Sequence, residues 1–166
     1  MKTRFLFDGM LGRLCRKMRL LGYDSELVDP GRSHLFLVRA GEEGRVPVTT
    51  ATRTVDRRGG PPLVLRRSGL AARVAEIFGA LEEIPLIEPF TICMECNAPL
   101  RRLRPSEAAG KVPPRVLEAH DRFRTCPICH RIYWEGSHHE AMERQIEEIV
   151  DRLRREGLEP VVAERP

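Results

Sequence analysis

Two cysteine pairs, Cys93-Met94-Glu95-Cys96 and Cys126-Pro127-Ile128-Cys129, constrain this chain more than any other feature. Each pair lets two thiolates from one tight turn reach a single ion. Together the four sulfurs form the closed tetrahedral set of a structural zinc site. An iron–sulfur centre or a redox dithiol can use the same spacing, and both stay open at this point. Residues 97–125 separate the pairs, more than a minimal ribbon needs, so an insertion loops out between them. With sulfur in all four positions there is no room for a reacting water, so the site reads as a staple and not a reaction centre. The half of the chain that carries it is too small to fold on apolar burial alone.

A chain of 166 residues fits one domain, or a small domain with a mini-domain beside it. Apolar residues make up 42% and aromatics 5%, so the expected core is aliphatic. No apolar run reaches membrane-spanning length, and Asp8 interrupts the opening apolar stretch where a signal peptide would continue. The expectation is a soluble, cytoplasmic protein with no membrane partner. The fifth cysteine, Cys15, lies in a helical pattern and reads as a small buried hydrophobe.

The net charge of +4 is carried almost entirely by arginine. Its planar fork suits phosphate and stacks on bases, although a heat-adapted or compositionally biased source would also raise arginine content. Distribution is more telling. Arg101, Arg102, Arg104, Lys111, Arg115, Arg122, Arg124 and Arg131 crowd the cysteine half, opposed there by Glu107, Glu118 and Asp121. An anionic partner, nucleic acid, is expected at this face; a merely solvated basic surface is the plainer alternative. Arg101, Arg102, Arg104, Arg122, Arg124 and Arg131 are the candidate contacts. His120, His130, His138 and His139 read as surface or partner-facing residues.

Along the first half, strand and helix patterns alternate. Residues 4–7 form a short buried strand running into Asp8-Gly9. A helix follows to Leu21, with Met10, Leu11, Leu14, Met18 and Leu21 on one face and Arg13, Arg16, Lys17 and Arg19 on the other. Gly22 caps it. A second strand spans residues 25–28 and ends at Asp29-Pro30-Gly31. A helix over 33–43 points Leu35, Leu37 and Val38 inward and closes at Gly44. A third strand covers 45–50, where Pro47 hints at an edge or bulge. Leu63-Val64-Leu65 is a fourth strand, and Leu70, Val74, Ile77, Phe78 and Leu81 mark another amphipathic helix. The alternation predicts a parallel α/β sheet flanked by helices. Residues 84–90 read as an apolar connector. Residues 131–134 read as a strand that pairs near Leu100. A Ser137-x-x-Glu140 capping box opens a last helix with Met142, Ile146, Ile149, Val150 and Leu153 as its stripe.

Asp8 is the leading catalytic candidate, because a carboxylate at a strand's carboxyl end suits a hard divalent cation, Mg2+ or Mn2+. An aspartate there serves equally as a helix N-cap. Asp29, at the next strand's end, and Asp56, in the polar loop after the third strand, are the further candidates. Two-metal hydrolysis needs several such groups to converge.

Phe5-Leu6-Phe7-Asp8-Gly9-Met10-Leu11-Gly12-Arg13-Leu14 and Met18-Arg19-Leu20-Leu21-Gly22-Tyr23-Asp24 resemble the opening of the Mut-seven C-terminal ribonuclease domain family. So do Phe90-x-x-Cys93-x-x-Cys96-Asn97-x-Pro99-Leu100, Val112-Pro113-Pro114, Cys126-Pro127-x-Cys129 and Tyr133-Trp134-x-Gly136-Ser137-His138. The resemblance covers about residues 4–150. It implies a PIN-like α/β nuclease core over residues 1–86, then a four-cysteine zinc ribbon with a C-terminal helix over 87–157 and a loose tail over 158–166. It also implies a metal-dependent ribonuclease using clustered carboxylates, with RNA as partner and the ribbon arginines helping to bind it. Asp8 matches the family's first acid, and Cys93, Cys96, Cys126 and Cys129 match its ribbon. Ser33-His34 and Thr49-Thr50-Ala51 stand where the family usually has further acids, and His130 where it has a glycine, so a positive φ is expected there. A catalytically reduced RNA-binding or partner-binding protein on the same fold is therefore the alternative. The sequence sets no oligomeric state.

Overall fold

The computed structural model describes residues 2–29, 34–52 and 61–163, with backbone alone for Ser137 and His138. Strands β1 (Phe5–Phe7), β2 (Ser25–Leu27), β3 (Val46–Thr49) and β4 (Leu63–Val64) form a parallel sheet in the order β2-β1-β3-β4. After β1 comes a 3-10 turn over Gly9–Leu11, then helix α1 (Gly12–Leu20); helix α2 is Phe36–Glu43 and α3 is Leu70–Leu81. The predicted α/β sheet is thus present, and its strands alternate with helices.

Period two explains why β1 is central. Phe5 and Phe7 point to one side, into a core built with Leu14, Met18, Leu21, Tyr23, Val74, Ile77 and Phe78 from the α1 and α3 regions. Leu6 points to the other side, against Val28, Phe36, Leu37 and Ala40 of the α2 layer. All three β1 residues are fully buried, as expected of a parallel strand covered on both faces. Against expectation, Leu35 is exposed at 44%; Phe36, Leu37 and Ala40 make the inward face of α2.

Pro47 does not mark an edge, because β3 lies between β1 and β4. Val46 N donates to Arg4 O on the β1 side, and alternation turns the Pro47 nitrogen toward β4. The ladder with β4 begins only at Val48–Leu63, so the missing N–H removes no bond from it.

The connector after α3 carries β5 (Leu86–Ile87), which pairs in parallel with β9 (Val161–Val162), a strand within the segment read as a loose tail. At the C-terminal end of α1, Gly22 adopts φ +82°, and a Cβ there would lie 2.3 Å from Glu88 O. A glycine is therefore required where the connector crosses.

The cysteine half holds an antiparallel sheet of β6 (Arg101–Leu103), β7 (Phe123–Thr125) and β8 (Ile132–Trp134), in that order. Strand β8 thus pairs with β7, not with the segment near Leu100 as expected; β7 intervenes. The insertion holds short helices α4 (Pro105–Ala108) and α5 (Pro114–Ala119), which close over Leu103, Ala108, Val112 and Phe123. The last helix, α6, spans Ser137–Arg155 with Gly136 as its N-cap, one residue before the cap of the expected box. Its Ile146, Ile149, Val150 and Leu153 are buried in the core around Phe5 and Phe7, so the helix returns to the α/β layer. Among the described residues, no helix is long and apolar enough to cross a membrane.

Candidate metal centre and sheet-edge carboxylates

The two knuckles share one backbone geometry. Cys93 N donates to Ala98 O and Asn97 N to Cys93 O; Cys126 N donates to Arg131 O and His130 N to Cys126 O. The fourth residue after each leading cysteine, Asn97 (φ 60°) and His130 (φ 59°), is left-handed. The positive φ expected at His130 is present, and histidine and asparagine are among the side chains that tolerate it best.

These turns bring the Sγ atoms of Cys93, Cys96, Cys126 and Cys129 within 4.8 Å of one another. A zinc–sulfur bond of about 2.3 Å gives a tetrahedron with edges of about 3.8 Å. The Cys93–Cys129 sulfur separation is 3.8 Å, far too long for a disulfide and suited to a shared ion. Amides of Cys96, Ile128 and Cys129 approach the leading sulfurs at 3.4–3.5 Å, softening thiolate charge. The donor set therefore fits zinc.

Without a metal, the two cysteines of the first knuckle shift in opposite directions. Burial works to raise the Cys93 thiol, but the Tyr133 hydroxyl at 3.1 Å and the Cys96 and Glu95 amides outweigh it and bring it down to about 7. The Cys129 sulfur, then burial and the charge of Cys93, push Cys96 up to about 12. A metal ion held by all four sulfurs would take each of them as a thiolate, so its binding would release protons.

The first knuckle is bolted to the α/β sheet. Arg19, read from sequence as a solvent-facing residue of α1, is 9% exposed. Its Nε donates to Ser25 O at 2.7 Å and its Nη1 to Met94 O and Glu95 O at 2.8 and 2.9 Å. Asn97 Oδ1 accepts from Ser25 N at 2.8 Å, and its amide nitrogen donates to Asp24. Asp24 also receives Arg45 Nη1 at 2.7 Å. No local signal marks Arg19 as a link to the ribbon, because its knuckle partners Met94 and Glu95 lie some 75 residues away in sequence. Asn97 was marked only as part of the knuckle motif.

At the sheet, Asp8 follows Phe7 at the carboxyl end of β1. Its Oδ2 accepts from the Thr49 hydroxyl at 2.8 Å, and its Oδ1 accepts from Met10 N at 3.4 Å. It therefore caps the 3-10 turn while its carboxylate sits at the end of the central strand. Thr49, 1% exposed, is itself held by Ala51 N at 2.9 Å. It occupies a stretch singled out from sequence only for lacking an acid. Asp29, exposed, follows the end of β2, which pairs with β1 at Phe7–Leu27. Asp56 lies outside the described residues. Among the described residues, the four cysteines are the one group of three or more metal-capable side chains. Asp8 supplies an oxygen suited to a hard divalent cation, but the described residues do not assemble a full carboxylate set around it.

The six candidate arginines divide. Arg101, Arg102, Arg104, Arg122 and Arg131 are exposed and Arg124 is half-buried. Arg104 pairs with Glu107 at 3.2 Å and Arg131 with Glu95 at 3.4 Å. Arg102 stands opposite Arg124 across β6 and β7, and Arg124 opposite Tyr133 across β7 and β8. Cys15 is buried; burial pushes its thiol up to about 11, which keeps it inert.

A helix-flanked parallel sheet joined to a four-cysteine ribbon that can hold a metal such as zinc defines the class. A model of the Mut7-C RNAse domain family matches residues 3–146, and the chain belongs to that family. No curated protein and no solved structure matches it. Membership suggests a nuclease-type function.

Proposed function

We propose that this protein is a metal-dependent ribonuclease that hydrolyses RNA phosphodiesters at the carboxyl edge of β1, with a structural zinc ribbon that helps to hold the RNA. The observation that carries this reading is Asp8, a carboxylate fixed at the end of the central strand by a buried threonine in a chain of this family. Asp8 anchors the site, Thr49 sets its orientation, and Asp29 and Asp56 are the further acids. Bound Mg2+ or Mn2+ would supply Lewis-acid stabilisation and an activated water. Cys93, Cys96, Cys126 and Cys129 hold zinc and keep the arginine-bearing sheet beside the α/β core.

A second reading has its own support. The described residues gather no carboxylate cluster, and Ser33-His34 and Thr49-Thr50-Ala51 replace acids usual in the family. A protein that binds RNA without cutting it keeps everything except the chemistry. Purified protein incubated with end-labelled single-stranded RNA separates the two readings. With manganese added, the wild type cleaves and Asp8→Asn does not. Persistent absence of cleavage over varied RNA substrates, with binding retained, would support the second reading.

A further inference from the structure

A cavity of about 290 Å3 opens on the ribbon sheet, lined by Arg102, Arg122, Arg124 and Tyr133, and walled by Phe90 and His139. Its composition is unusual for this chain. Aromatics are scarce in the sequence, yet the Tyr133 ring lies in the cross-strand row with Arg102 and Arg124, and Phe90 stacks on His139 at 4.0 Å. Of the described acids, Glu135 alone lines the cavity, against three guanidinium groups.

Arg102 and Arg124 face each other directly across an antiparallel pair, an arrangement of like charges that destabilises a sheet. Burial first, and then Arg102, lower the proton affinity of the Arg124 guanidinium. Arg124 Nη1 donates to Phe90 O at 3.3 Å, which ties the arginine row to the aromatic wall. Tyr133 is held from behind by its hydroxyl contact with Cys93 Sγ, so the first knuckle helps to set the ring that lines the cavity. A paired cationic face beside ordered rings suits a phosphate together with a base, because guanidinium forks bind phosphate oxygens and every base has a face that stacks. The volume sits at the lower end of ligand sites, about 300 Å3, enough for one nucleotide and too small for a duplex.

We infer that this cavity is the binding site for one unpaired nucleotide of single-stranded RNA, its phosphate on Arg102, Arg122 and Arg124 and its base against Tyr133 and Phe90. The choice of RNA rests on the ribonuclease reading; the single-nucleotide site rests on the cavity. It divides the arginines into those that bind and those that do not. Arg101, next to Arg102, points to the opposite face of β6 because side chains alternate along a strand. Arg104 is engaged by Glu107.

The test is fluorescence anisotropy with a short end-labelled single-stranded oligoribonucleotide. The zinc-loaded full chain carries Asp8→Asn, so that nothing is cut. Further substitution of Arg102→Gln or Arg122→Gln weakens binding about tenfold, the loss expected for one charge-assisted phosphate contact. Each also makes the salt dependence shallower by about 0.7 in log–log slope. Arg101→Gln, with the same change of net charge on the same strand, stays within about twofold of its parent. A duplex of the same sequence binds more weakly than the single strand. Equal losses for Arg101→Gln and Arg102→Gln would overturn the site in favour of an undifferentiated basic face. Equal affinity for duplex and single strand would overturn the unpaired-nucleotide claim. Cleavage by protein with Asp8 intact, unaffected by Arg102→Gln or Arg122→Gln, would remove the cavity and leave the nuclease reading standing. Binding that survives without any cleavage would do the reverse.

Discussion

Asp24 lies just before β2, where the sheet meets the first knuckle, and receives Arg45 and Asn97 at once. Burial works to raise its carboxyl, but those two hydrogen bonds and the charge of Arg45 prevail and hold it below 3.8. A folded-state value below the unfolded one stabilises the protein at pH above about 4, and the gain disappears as pH falls through the lower folded value. Asp24→Asn should therefore cost about 1–2 kcal/mol at pH 7, the loss of a partly exposed charge-assisted bond discounted for solvent. Urea melts should show the gap from wild type closing below about pH 4. A gap unchanged in acid would mean that the carboxylate charge plays no part. Arg45, 7% exposed in its side chain, keeps Glu43 at 2.7 Å, which is why the expected cost is modest.

At the level of elements, the clearest sequence signals were those whose partners lie within a turn or two. Strand β1 before Asp8, the stripe of α1 from Leu11 through Leu14 and Met18 to Leu21, Gly44 closing α2 and the two knuckles all follow from local pattern and are present. Met10, expected on that stripe, is 86% exposed because residues 9–11 form a 3-10 turn and the α-helix begins only at Gly12. Elements whose reason lies far along the chain were not legible. Arg19 matched the polar face of an amphipathic helix until a knuckle packed over that face. Strands β5 and β9 are each two residues long and exist only because they pair with each other. The four-cysteine group was legible because chelation fixes the spacing of such residues. A carboxylate cluster has no fixed spacing, so Asp29 and Asp56 could be named but not joined to Asp8. The cavity row of Arg102, Arg124 and Tyr133 depends on the register of three strands, which the sequence did not disclose.

Helix α6 gives this level its test. Its stripe was read correctly, but the surface that it buries belongs to the α/β core. Leu153 is completely buried there. Leu153→Ala should lower stability by about 2–5 kcal/mol, as a large-to-small change in a packed core does. Thermal melting should detect a loss shared by the whole α/β layer. A loss of less than about 1 kcal/mol would show that the helix is only loosely docked.

For the whole molecule, the ribbon and the sheet act on each other through Arg19 and Asn97 behind the first knuckle and through the return of α6. Metal binding to such a site is also folding free energy. The protein should carry about one zinc per chain, and stripping it should lower the melting temperature and weaken RNA binding together. Elemental analysis beside a melting curve checks this. Less than about half an equivalent of metal in well-folded protein would contradict the staple.

The ribonuclease reading itself comes down to Asp8. The most direct measurement is the single-turnover cleavage rate of end-labelled single-stranded RNA across a manganese titration, for the wild type and Asp8→Asn. The account predicts a saturable, metal-dependent rate in the wild type that falls by at least about a hundredfold in the variant, while the variant stays folded and retains RNA affinity. A rate that ignores manganese, or one that Asp8→Asn leaves intact, would contradict it.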